Sequence, residues 1–88
     1  MRVEKYINAI RAKATDITDN YKNWLNVGFA LANEFGETGR QYFHEVSRCY
    51  LKYNYADADK KYTGLLKNNK GGISIGTFFH LCKEHGIV

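Results

Sequence analysis

A glycine-rich stretch near the carboxyl end of the chain has the spacing of a phosphate-binding loop. It reads Gly71-Gly-Ile-Ser-Ile-Gly76-Thr77. The lysine that should stand between Gly76 and the threonine is missing, and no predicted strand precedes the stretch. We therefore interpret it as a turn that leads into a capped helix, and we expect no bound nucleotide or other cofactor.

Zinc-ligand residue types follow shortly after, in His80, Cys82 and His85. Positions two and five residues apart on one helix point in divergent directions, so these three side chains cannot converge on a metal ion by themselves. We expect no metal site. Cys82 is predicted to lie in the core, and His85 in the last turn of a helix.

Catalytic groups are equally poorly placed for this chain to act alone. Asp57 and Asp59 are two residues apart on a predicted helix and diverge, which disfavours a shared proton. Ser47 and Cys49 lie in a predicted helix beside His44, without the glycines of a nucleophile elbow. We predict that the domain is not an enzyme.

The charge pattern gives the one positive indication of function. The net charge is +4, and residues 40–70 hold seven basic against three acidic residues, whereas the rest of the chain is balanced. The concentration of this surplus in one segment favours a polyanionic partner such as nucleic acid, although a solvated face that keeps the protein soluble is the commoner explanation of such surpluses. The candidate nucleic-acid-binding residues are Arg40, Arg48, Lys52, Lys60, Lys61, Lys67 and Lys70.

The helix that must position these residues is predicted to begin near residue 20 and to end before Gly36. Trp24, Val27, Leu31 and Phe35 recur at helical spacing, and further apolar residues lie beside them. This helix should therefore be the centre of the fold. Gly28, within the same stripe, predicts the close approach of a neighbouring helix or a large ring.

Two helices carry the basic segment. Thr38 and Gln41 fit a capping box at the start of a third helix, whose apolar pattern continues to Tyr53. Four residues at four-residue steps form a basic line along one side of it: Arg40, His44, Arg48 and Lys52. Asn54 is predicted to cap the fourth helix.

The remaining elements complete an all-α fold of one compact domain of about five short helices, spanning residues 1–88. A first helix is predicted over residues 2–14, and Ser74 should cap a fifth helix after a strong break at residues 68–72. No apolar run reaches the roughly 20 residues of a membrane span, so we expect a cytoplasmic protein without a membrane partner.

Exposed tyrosines such as Tyr53 or Tyr55 could stack on unpaired bases, although packing in the core is the commoner use of such rings. The outward residues predicted for the fifth helix are poor in base-reading Arg, Asn and Gln. Binding to DNA or RNA should therefore be directed to the backbone and independent of sequence.

With these motifs placed, the chain resembles the second type of primase C-terminal domain. The resemblance rests on three segments: Tyr21-x-x-Trp24-x-x-Val27-Gly28-x-Ala30-Leu31, Gly36-x-x-Gly39-Arg40 with Ser47 and Tyr53, and Ile73-x-Ile75-Gly76-Thr77-Phe78-Phe79 to Gly86-Ile87. It departs from the pattern at Val46, where an aromatic often stands, and at Ile87, where a tryptophan often stands.

The resemblance implies a small helical module that follows the catalytic part of primases or helicases of phages, plasmids and other mobile elements, and that occurs in virulence-associated E type proteins. It implies no catalytic residues. Our first hypothesis is a non-catalytic accessory domain, a fragment of a larger replication protein, that binds nucleic acid through a basic face on its third and fourth helices. The alternative is a protein-interaction domain that docks on the primase or helicase core.

Overall fold

The chain folds into helices, as the spacing of its apolar residues predicts. The computed structural model describes residues 2–15, 17–18, 20–68 and 72–87, and of residue 2 only the backbone. Its helices are α1 (Arg2–Lys13), α2 (Tyr21–Phe35), α3 (Gly39–Ser47), α4 (Tyr55–Lys67) and α5 (Ile75–Glu84), with a 3-10 turn at Gly36–Thr38. The predicted all-α class and compact unit are confirmed, and no strand occurs in these ranges.

Helix α2 is the element around which the others pack, as its apolar pattern predicts. Its N-terminus is capped by Asn20, whose side-chain oxygen accepts from the Asn23 amide at 2.8 Å. Helices α3, α4 and α5 all lie against α2, while α1 packs on α3. Val27, Ala30 and Leu31 are fully buried as a result.

Gly28 lets two neighbours approach α2 closely. A Cβ atom at this position would overlap the Leu65 Cδ1 atom of α4 and would lie 3.1 Å from the Phe43 Cε1 atom of α3. The prediction of a close approach at Gly28 is therefore confirmed, and both a helix and a ring make it.

Gly39 has the same role at the start of α3. A Cβ atom here would overlap the Tyr62 hydroxyl and would lie 2.9 Å from the Leu31 carbonyl oxygen. The Tyr62 hydroxyl in turn donates to the Gly36 carbonyl at 2.6 Å, so one buried ring of α4 holds the turn between α2 and α3.

The third helix is shorter than the sequence predicts. It ends at Ser47, and the chain continues through turns in which the Tyr50 amide donates to Ser47 and the Tyr53 amide to Tyr50. The reason is a contact between His44 and Tyr53, whose Nδ1 and hydroxyl lie 2.8 Å apart. A continuous helix would separate these two residues by about 13.5 Å along its axis.

The predicted capping box at the start of that helix is also wrong. Thr38 has helical backbone angles and makes no side-chain cap, because the 3-10 turn feeds directly into α3. The other predicted caps are confirmed: Asn54 accepts from the Asp57 amide at 3.0 Å, and Ser74 accepts from the Gly76 amide at 3.3 Å.

Candidate nucleic-acid interface

The basic line predicted along the third helix is interrupted, because α3 ends at Ser47, before Arg48 and Lys52. Arg40, at its first turn, is held by neighbours. Its guanidinium contacts Glu37 at 2.7 Å and Asp59 at 3.1 Å, and only 22% of its side chain is exposed. The hydrogen bond to Glu37 is the main cause that raises the pKa of Arg40 above its ordinary value.

His44 lies in the interior rather than on a basic face, with 2% of its surface exposed. Its Nε2 atom is 3.0 Å from Asp59 Oδ1. A carboxylate can only accept, so Nε2 carries a hydrogen, and in the neutral ring Nδ1 accepts from the Tyr53 hydroxyl. The hydrogen bond from His44, followed by that from Arg40, lowers the pKa of Asp59.

This network fixes the loop of residues 48–54 at the side of the molecule. Tyr53 is tied to His44, and the Tyr55 ring stacks on His44 with centroids 4.1 Å apart and planes inclined by 6°. Two residues at the tip of the loop remain open to solvent, because Tyr50 is 41% and Leu51 96% exposed. Such exposure of a leucine leaves its apolar surface without a neighbour.

A cleft of about 250 Å³ opens between this loop and the N-terminal ends of α2 and α4. We call it the aromatic cleft, after four rings that line it: Tyr21, Trp24, Tyr50 and Tyr53. Its inner wall is fixed by the Trp24 indole, whose Nε1–H donates to the buried Ser47 hydroxyl at 2.9 Å.

Lysines flank these rings. Lys52 lines the aromatic cleft itself. Lys61 lies over the Tyr21 ring at 5.3 Å and near the Trp24 ring at 6.0 Å, and it donates to the Tyr21 hydroxyl at 2.9 Å. These distances allow cation–π attraction, so the ammonium is held at the surface beside the rings.

A second, shallower groove continues along α4 from the same tryptophan. It has a volume of about 590 Å³ and is lined by Trp24, Phe29, Lys60 and Lys61, with Asp57 as a carboxylate at its start. Asp57 lines the aromatic cleft as well and opposes the positive charge there. The structure thus brings aromatic rings and lysines together on one surface that runs from the loop onto α4.

A comparison with models of known protein families identifies the family of this chain. Residues 5–82 match the family model described as Primase C terminal 2 (PriCT-2). The chain belongs to the primase C-terminal 2 family. Neither the search of curated proteins nor that of solved structures found a significant match. The matched range includes every residue of the aromatic cleft and the groove.

The predicted binding residues of this primase C-terminal domain lie in different surroundings. Lys52, Lys60 and Lys61 lie beside the aromatic rings. Lys67, two turns of α4 beyond Lys60, is exposed on the same side of the helix, and Arg48 is exposed at the end of α3. Arg40 is engaged in its ion pairs, and Lys70 lies outside the described residues.

The pairing of Tyr21 with Lys61 and the position of Tyr50 in the aromatic cleft are not predicted from the sequence. Tyr21 and Lys61 are 40 residues apart, and no periodicity within one helix links them. One part of this pairing has a local signal. Tyr21 lies one turn before Trp24 at the start of the central helix, and this spacing indicates that the two rings are neighbours.

The other candidate chemistries of the primase C-terminal domain have structural explanations. Cys82 is buried, and burial raises the pKa of its thiol to about 12. His80 is exposed beside Glu84 at 3.7 Å, and His85 Nδ1 bonds the Leu81 carbonyl. Within the described ranges no cluster of three potential metal ligands occurs, and no helix has the length and apolar character needed to cross a bilayer.

Proposed function

We propose that this domain is a non-catalytic accessory part of a mobile-element primase or helicase, and that it binds the backbone of DNA or RNA. The observation that carries the proposal is the Lys61 ammonium, which lies over the exposed Tyr21 ring and near the partly buried Trp24 ring, while Lys52 lines the aromatic cleft and Lys60 lines the groove. Lysines contribute sequence-independent affinity by neutralising phosphates.

The surface proposed here differs from the two-helix face that the sequence indicates. It consists of α4 and the loop before it, with Lys52, Lys60, Lys61 and Lys67 as the contacts. Asp57 lines both the cleft and the groove, and its negative charge offsets the charge of one of these four lysines. A surplus of positive charge therefore remains for phosphates, and binding should not depend on the base sequence.

Fluorescence anisotropy of labelled oligonucleotides at about 50 and 200 mM salt tests the proposal. If four lysines each neutralise one phosphate, affinity should fall about 50-fold for a single strand and about 150-fold for a duplex between these concentrations. Binding that is independent of salt would contradict the proposal, as would a lack of binding at the lower salt concentration.

A double variant with two reversed charges tests whether nucleic acid binds to this surface. Lys60→Glu with Lys67→Glu should weaken binding and flatten its salt dependence, because two phosphate contacts are lost. Lys5→Glu with Lys83→Glu is the matched control, since both lysines are exposed on α1 and α5 and the total charge changes equally. An equal loss in both pairs would show that net charge, rather than this surface, determines binding.

A second candidate function is docking on the catalytic part of the parent primase or helicase. The observation that favours it is Leu51, 96% exposed at the loop tip next to the partly exposed Tyr50. An apolar side chain presented in this way can fill a pocket on a partner. Leu51→Asp should then abolish binding to the separately purified parent core in titration calorimetry, and undiminished binding would exclude this mode.

A further inference from the structure

The aromatic cleft has the dimensions and walls of a site for one flat ring system. Its volume of about 250 Å³ is below the roughly 300–1,000 Å³ of pockets that enclose drug-sized ligands. Two of the rings that line it, Tyr21 and Tyr50, are 61% and 41% exposed. We propose that this cleft binds one unpaired base of a nucleic acid, and thereby gives the domain a preference for single strands.

The inference rests on the proposed function, because the flanking phosphates of the same strand must bind the lysines. Lys52 lines the cleft, and Lys61 lies where its wall meets the groove along α4. Of the three N–H donors of the Lys61 ammonium, the Tyr21 hydroxyl accepts one. A strand can therefore place a base in the cleft and its backbone along these two ammonium groups.

The walls are fixed before any ligand arrives. Trp24 is held by its hydrogen bond to Ser47, and Tyr53 by its bond to the buried His44. Rings that are already positioned lose little conformational freedom when a base stacks on them, which favours binding. Aromatic platforms accept every base because each base has a π-face.

A duplex cannot use this site. Its bases are paired and stacked, and only the sugar–phosphate surface can reach the lysines. Stacking of a base on aromatic side chains contributes about 5- to 150-fold in affinity, which only an unpaired base can gain. The aromatic cleft thus gives the domain a preference for single strands over duplexes, which the lysines alone do not provide.

The experiment compares three ligands of equal length: a single-stranded DNA oligonucleotide, its abasic analogue with the same phosphates, and the duplex. Trp24 is the single tryptophan of the chain and lines the cleft, so its fluorescence reports occupancy. We expect the base-containing single strand to quench Trp24 and to bind at least five times more tightly than the abasic analogue.

The variants Tyr50→Ala and Leu51→Ala form a matched pair of exposed residues in the same loop. Tyr50 lines the cleft, whereas Leu51 is 96% exposed and does not line it. Tyr50→Ala should reduce binding of the single strand about fivefold or more and leave the abasic analogue and the duplex unchanged. Leu51→Ala should affect none of the three ligands.

The outcomes separate the inference from the proposed function. Equal, salt-dependent binding of all three ligands without quenching of Trp24 would overturn the base site and leave backbone binding intact. A loss in Leu51→Ala equal to that in Tyr50→Ala would also overturn it, because the effect would then be general to the loop. No binding of any ligand would overturn both proposals.

Discussion

Replacing Gly39 with alanine tests whether the turn between α2 and α3 depends on the absence of a side chain. The added Cβ atom would overlap the Tyr62 hydroxyl and lie 2.9 Å from the Leu31 carbonyl oxygen. The Leu31 oxygen is a backbone atom and cannot rotate away, so α2 and α3 must separate, and Tyr62 must move as well. When Tyr62 moves, its hydrogen bond to the Gly36 carbonyl is lost.

The expected cost follows from these two effects. Overpacking of a well-filled interior costs about 1–3 kcal/mol, and the lost hydrogen bond about 1 kcal/mol more. The variant should therefore lose about 2–4 kcal/mol of its free energy of unfolding. This is a large part of the roughly 4–13 kcal/mol expected for a domain of this length. It corresponds to a fall in Tm of roughly 8–32 °C.

Thermal unfolding followed by far-UV circular dichroism measures the effect, with Gly64→Ala as the matched control. A Cβ atom at Gly64, within α4, would meet open space. That variant should gain about 1 kcal/mol of helix propensity and melt at a higher temperature. In a Tyr62→Phe background, Gly39→Ala should cost less, because one of the two overlaps is gone. A Gly39→Ala protein that melts within a few degrees of the wild type would refute the reasoning.

Acid should weaken the network around Asp59, whose pKa is lowered first by the hydrogen bond from His44. The folded pKa is below the unfolded one, so this stability is present above about pH 4 and is lost as the pH falls. Asp59→Asn should therefore reduce the Tm difference between about pH 7 and pH 3, and an unchanged difference would contradict the assignment. Burial raises the pKa of the Cys82 thiol to about 12. Iodoacetamide should therefore alkylate the half-buried Cys49 first, and equal rates in the native protein would contradict that order.

The central helix and most caps could be predicted from the sequence because their causes are local. The spacing of Trp24, Val27 and Leu31 defines a buried stripe within one helix, and Asn54 and Ser74 bond amides two or three residues away. Such patterns lie within a few residues of one another, where a single sequence is informative.

The end of α3 and the buried state of His44 could not be predicted, because their causes are distant. The apolar spacing continues past Ser47 without a glycine or proline, so nothing local stops the helix. His44 is held by Asp59, which is 15 residues away on another helix. The contact of His44 with Tyr53 places the loop that lines the aromatic cleft, and the candidate site was correspondingly harder to predict than the fold.

The position of α2 also has a consequence for how the chain is synthesised. Its buried stripe is covered by α3, α4 and, most extensively, α5, and Asn33 of α2 bonds the Ile73 carbonyl just before α5 at 2.6 Å. A nascent chain leaves the ribosome from its amino end, so α2 emerges some 40 residues before the helix that seals it. Until residues 75–84 have also left the ribosome, part of this apolar stripe faces water and makes the nascent chain prone to aggregation.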